Sequence, residues 1–153
     1  MLAPNHRMTQ PWRFYVLGPK ARRAYGAALG ARKARKVEDP EAARLVREKV
    51  EAEHEALPAM IVVAMVENDD PATREEDYAA VMMAVQNIAV AAAEVGLGTH
   101  IKTGAVMQDP AARAAAGVRD GERIVAVVNV GEPAELPAAK ERSPASVFTV
   151  WRP

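Results

Sequence analysis

Apolar residues recur along this chain with two different periods, and the switches between them mark out its elements. Trp12-Arg13-Phe14-Tyr15-Val16-Leu17 gathers aromatic and branched side chains ahead of Gly18-Pro19, which predicts a loop and then a short strand. Residues 20–57 turn to Ala, Arg, Lys and Glu with a break at Asp39-Pro40. Two surface helices are expected there, one ending near Lys36 and one running from Glu41 to about Leu57. Met60-Ile61-Val62-Val63-Ala64-Met65-Val66 is continuously apolar between Pro58 and Asn68-Asp69-Asp70-Pro71, as in a strand buried on both faces.

The next helix, residues 73–95, opens on Thr73-x-x-Glu76, a capping box, and closes on Gly96-Leu97-Gly98, where glycine stops a helix in the left-handed conformation. Tyr78, Val81, Met82, Val85, Ile88, Ala89, Ala92 and Val95 fall at helical spacing, and the positions between them are mostly Ala, Val and Met. A helix apolar nearly all round belongs at the centre of a fold. Residues 110–117 form a short Ala-rich helix begun by Pro110. Residues 123–130 are a second buried strand, ended by Gly131-Glu132-Pro133. Val147-Phe148-Thr149-Val150-Trp151 is a last strand candidate, too apolar for water and expected to pack on another subunit. No repeat or second domain interrupts residues 1–153.

Composition narrows the function classes. The 153 residues are 50% hydrophobic and 26% charged, which is the make-up of one globular domain and not of a disordered chain. Twenty basic residues against twenty acidic ones leave no global field for nucleic acid. No apolar window reaches the roughly 18 residues of a spanning helix, and the first residues lack the apolar centre of a signal peptide. A soluble cytoplasmic protein, with no membrane or nucleic-acid partner, is the expectation. Without cysteine there is no disulfide, thiolate metal site or cysteine nucleophile. His6, His54 and His100 have no partners at ligand spacing, so no metal is expected, and His54 among Glu51, Glu53 and Glu55 reads as solvated. Lys20, Arg22, Arg23, Arg32, Lys33, Arg35 and Lys36, with no acidic residue among them, could hold a phosphate or a nucleic acid but read first as a solvated basic face, which the acid-rich helix that follows could neutralise. Nucleophile-elbow, P-loop and dinucleotide glycine motifs are absent.

Two polar stretches lie beside predicted core elements: Asn5-His6-Arg7-Met8-Thr9-Gln10-Pro11-Trp12 and Thr99-His100-Ile101-Lys102-Thr103-Gly104. A binding site held on a rigid scaffold accounts for them, and so does loop solvation; residue types alone leave both open.

Ala3-Pro4-Asn5-His6-Arg7-Met8-Thr9-Gln10-Pro11-Trp12-Arg13-Phe14 resembles the A-P-[ND]-H-x-x-x-[QE]-P-W-[RH]-F segment of the FMN-dependent nitroreductase family, in its branch of small, YdjA-like members. The helix closing in Gly96-Leu97-Gly98, the Ile101-Lys102-Thr103-Gly104 after it and the strand running into Gly131-Glu132-Pro133 keep the family's order. The resemblance covers essentially the whole chain. It implies an α+β three-layer sandwich around a central mixed sheet, an intertwined homodimer, and FMN between the subunits. His6, Arg7 and Met8 would reach a flavin held mainly by the other subunit, Ile101, Lys102, Thr103 and Gly104 would line its ring and ribityl side, and Arg142 would meet the phosphate. The flavin would carry the chemistry, taking hydride from NADH or NADPH and passing electrons to a nitroaromatic, a quinone or a similar small acceptor, with Lys102 in an electrostatic role. The family's two opening helices, with their Arg-Arg-Ser motif, have no counterpart in the sequence, so either this is a fragment or a misassigned start, or it is a shortened member with weakened or altered FMN binding. A flavin-binding or flavin-free dimeric protein of the same fold, without efficient turnover, is the alternative.

Overall fold

The computed structural model describes residues 2–152. Four strands form one sheet in the order β1-β2-β4-β3: β1 (Trp12–Val16), β2 (Ala59–Val66), β3 (Gly98–Lys102) and β4 (Glu122–Gly131). Helices α1 (Pro19–Ala34) and α4 (Pro110–Ala116) cover one face, with α2 (Pro40–Glu55) laid along α1, and α3 (Pro71–Glu94) covers the other. This is the expected α+β sandwich. No described helix is long and apolar enough to cross a membrane.

The pairings within the chain are all antiparallel, which corrects the expectation of a mixed sheet. Helix α3 carries the chain from β2 to a strand of the same direction, but β4 returns between the two. Like-directed strands are therefore never neighbours.

β2 is apolar throughout because it is wedged between two strands and two helical layers. Met60 and Val62 face α1 and α4, whereas Val63 and Met65 face α3. β4 carries a bulge, since Ala126 pairs Val63 and Ile124 pairs Ala64, so that Val125 has no opposite number. As a result Val125 and Ala126 both face α3. β3, an edge strand, went unread in the sequence.

Four further details depart from expectation. The N-cap of α3 is Asp70, not Thr73: its Oδ2 accepts from the Thr73 N–H at 2.9 Å and from the Thr73 hydroxyl at 2.6 Å. Pro71 holds the N1 position, which leaves Glu76 free for other contacts. Ala80, Val81, Ala84 and Val85 bury one face of α3, but its outer face, with Met83 and Val90, is exposed. Residues 147–151 form no strand and lie exposed, paired with neither edge of the sheet. His54 is buried, only 6% exposed, because Gly26 lets α1 approach so closely that an added Cβ would stand 2.8 Å from the His54 Cβ.

The Thr73 hydrogen bonds hold the Asp70 carboxyl below the usual carboxylate range. A group whose folded pKa is depressed stabilises the fold above its unfolded pKa, and that contribution disappears as pH falls through the folded value. Asp70→Ala is therefore expected to lower the melting temperature by a few degrees at neutral pH. The gap to wild type should close in acid, as followed by circular dichroism.

Candidate functional site

β3 and the turn after it form one wall of an open cleft of about 740 Å³ on the α1 side of the sheet. Ile101 and Lys102 come from the end of β3, and Thr103 and Gly104 from the turn. Gly104 has φ +154°, which side-chain-bearing residues rarely adopt, and an added Cβ there would meet nothing within 4 Å. The backbone at this turn is thus open to a ligand. The opposite wall is the end of α1, with Leu29, Arg32, Lys33 and Lys36. Part of the basic face, read first as solvated, therefore lines a cleft. The acid-rich helix neutralises a different part of it, since Arg23 lies 3.6 Å from Glu51 and 3.2 Å from Glu55.

Lys102 is half-buried in this wall. Burial first, and then the positive charge of Lys33, lower its pKa, with Glu53 opposing. Beneath it lies a small, mainly apolar hollow, to which Tyr25, His54, Asn129 and Thr103 bring polar groups among Met60, Val106 and Val127. His54 Nδ1 lies 2.8 Å from the Val50 carbonyl. Burial, the largest influence on its pKa, favours the neutral ring, whose Nδ1–H then donates to that carbonyl. Tyr25 Oη and Asn129 Oδ1 are buried there without a partner, and burial pushes the Tyr25 hydroxyl up to about 12.

The first polar stretch lies elsewhere. Residues 5–10 precede β1 and fold against the start of α3. The Asp77 carboxylate, nearly inaccessible, accepts from the Thr9 hydroxyl and, at 3.4 Å, from Asn5 Nδ2; Asn5 Oδ1 takes the Gln10 N–H at 2.8 Å. Met8 and Gln10 are held at φ +52° and +48°. Glu76, released from the cap, lies 3.2 Å from His6 Nδ1 and 3.1 Å from Arg7 Nε, and these two groups lower its pKa. Met8 points into solvent.

Within one chain, then, the structure joins Ile101, Lys102, Thr103 and Gly104 but not His6, Arg7 and Met8. β1 and β3 are the two edges of the sheet, roughly 14 Å apart at three inter-strand spacings, and the two stretches also lie toward opposite faces. Arg142 sits on the exposed tail, away from the lining of the cleft. Among the described residues no group of three His, Asp or Glu side chains is placed to hold a metal ion.

A sequence profile described as the nitroreductase family matches residues 1–132. The chain belongs to the nitroreductase family. YfhC of Bacillus subtilis (strain 168), provisionally named an NAD(P)H nitroreductase, is 31% identical over 145 residues, spanning 93% of this chain and 73% of YfhC. A nitroreductase-like family protein from Bacillus cereus superposes with a TM-score of 0.79 at 29% identity, covering 96% of this chain and 76% of the other. The FMN and NADPH-dependent nitroreductase NfnB of Sphigopyxis sp. strain HMH shares the fold, with a TM-score of 0.74 at 16% identity over 99% of this chain and 84% of NfnB. As a nitroreductase-family chain, it has two features whose placement its sequence did not disclose. Asp77 is the buried anchor of residues 5–10, and it could have been found, because it stands in register with Val81 and Val85 on an otherwise apolar stripe. Arg32 and Lys33 near the end of α1 and Lys36 just beyond it lie on one side, and only the fold brings that side to β3.

Proposed function

We propose that this chain is an FMN-dependent oxidoreductase that carries electrons from NADH or NADPH to nitroaromatic, quinone or similar small acceptors, with each site built from two copies of the chain. The observation that carries the reading is the cationic cleft walled by Ile101, Lys102, Thr103 and Gly104. Its residues fit the cofactor. Ile101 and Leu29 offer apolar contact for a ring, the open Gly104 turn offers backbone, and Lys102 with the α1 cations answers negative charge. Bound FMN would supply the two-electron chemistry. Lys102 would stabilise the negative charge that accumulates on reduction, which in a half-buried setting is worth far more than in water.

His6, Arg7 and Met8 of a second copy would complete the site, with Asp77 and Glu76 fixing the loop that carries them. Arg142 on the exposed tail would close on the phosphate. The exposed apolar side of α3, with Met83 and Val90, and the apolar tail residues supply surface for the homodimer.

The shared site predicts complementation. A His6→Ala/Arg7→Ala variant and a Lys102→Ala variant should each be poorly active. Mixed by denaturation and refolding, they should recover about a quarter of wild-type turnover, since half the dimers are then mixed and one of their two sites is intact. NADH and NADPH oxidation with a nitroaromatic and a quinone gives the readout, and light scattering should report a dimer. No recovery on mixing, or a monomer, refutes the two-copy site; a chain that neither takes up FMN nor oxidises either nicotinamide refutes the enzyme.

A further inference from the structure

Three polar side chains in the hollow beneath Lys102 are more than nine-tenths buried: Tyr25 from α1, His54 from α2, and Asn129 from β4, where it stands between Met60 of β2 and His100 of β3. Folded chains rarely leave buried polar atoms unmet, yet the Tyr25 hydroxyl and the Asn129 amide oxygen have no protein partner. Tyr25 and His54 do not bond each other, their ring centroids being 6.3 Å apart. His54 gives its Nδ1–H to the Val50 carbonyl, which leaves Nε2 as a free acceptor. Thr103 is exposed and has solvent to bond. Hydrogen-bond arithmetic then identifies the occupant. Asn129 Oδ1 and His54 Nε2 need donors, whereas the Tyr25 hydroxyl and the Lys102 ammonium need acceptors. One molecule with two donors and two acceptors answers all four. A hollow of about 30 Å³ has room for a water, which needs about 10–15 Å³. The ammonium is near enough to share it: after burial, the charge of Lys102 is the next influence that favours the neutral His54 ring.

We infer that the hollow holds one water molecule bonded to Tyr25, His54, Asn129 and Lys102, and that the first three are positioning residues that steady the Lys102 ammonium through it. The inference rests on the reading of Lys102 as the group that answers flavin charge, and adds what keeps that group charged and aimed. Burial is the largest influence against the charge and Lys33 on α1 the next, while Glu53 on α2 favours it. Arg32 and Lys36 line the same cleft and add no acceptor. In such surroundings an acceptor supplied from beneath counts for more than it would in water.

A high-resolution crystal structure of the full chain should show a water within hydrogen-bond distance of Tyr25 Oη and Asn129 Oδ1. The effect on Lys102 is read by nuclear magnetic resonance, titrating chains labelled with carbon-13 at lysine Cε and assigning the Lys102 signal by its loss in Lys102→Arg. Asn129→Leu removes an anchor of the water and is expected to raise the fraction of Lys102 present as free amine about tenfold at a given neutral pH, the worth of one hydrogen bond. Asn129→Asp sets a carboxylate in the same place and is expected to lower that fraction by at least as much. Loosened packing would move both variants the same way, so opposite signs belong to the network. Should Asn129→Leu fold poorly by circular dichroism, the wild-type crystal structure and the Asn129→Asp titration decide. A dry hollow, a direct bond between Tyr25 and Asn129, or a Lys102 titration that the substitutions do not move overturns the inference. If the water and the titrations come out as expected in a chain that takes up no FMN, the flavin reading fails by itself and the water network stands.

Discussion

A Lys102→Ala variant is expected to lose about 100-fold to 1,000-fold in turnover, the usual effect of removing one group aimed at charge that develops during reaction, while FMN affinity changes far less. The reason lies in where the ammonium sits. Burial and Lys33 already work against its charged form, so negative charge building beside it relieves a cost that a solvated lysine would not bear. The same surroundings set a pH signature. Lysine is charged below its pKa, and this pKa is lowered, so turnover should fall with rising pH before an ordinary lysine would lose its proton. The alanine variant should show no such fall. Rates of NAD(P)H oxidation across the alkaline range, together with FMN titration, check both parts. Turnover within a few-fold of wild type would leave Lys102 as an ordinary half-buried residue.

Gly26→Val is expected to give the largest loss of stability. Its Cβ would stand 2.8 Å from the His54 Cβ and 2.9 Å from the Val50 carbonyl oxygen, so α1 and α2 would have to part along their closest contact. Overpacking of this kind costs about 1–3 kcal/mol. For a chain of this size that is a fall in melting temperature of roughly 4–10 °C. Calorimetry measures it. The damage should reach function as well, because α1 carries Arg32 and Lys33 and His54 lines the hollow beneath Lys102.

Most of this architecture is legible in the sequence wherever a local pattern decides it. β2 and β4 announce themselves by unbroken apolar runs, α3 by its period, and the boundary between α1 and α2 by Asp39-Pro40. β3 stayed hidden because Gly98-Thr99-His100-Ile101-Lys102 has little strand character of its own; its pairing with β4 supplies what the residues lack. The opposite holds at residues 147–151, whose aromatic and branched residues suit a strand but pair with neither edge of the sheet. His54 misled for a related reason. Its neighbours in sequence are acids, yet its burial is decided by a glycine on another helix. The Asp70 cap was readable, since Pro71 after an Asp marks a helix start more firmly than a capping box two residues on.

The candidate site divides in the same way. Local sequence flagged both polar stretches, but only the topology shows that one chain cannot bring them together.

The bulge at Val125 acts as a phase shifter. Were Val125 paired in plain alternation after Ile124, with no bulge, Ala126 and Val128 would turn toward α1 and Val127 and Asn129 to the α3 side. With it, Val127 packs among the α1 and α4 residues and Asn129 lines the hollow under Lys102. The floor of the cleft is thus addressed by a count of residues in a strand that lies beneath it. Inserting one residue between Ala126 and Val127 would leave every residue of that floor in the chain and almost none of it in place.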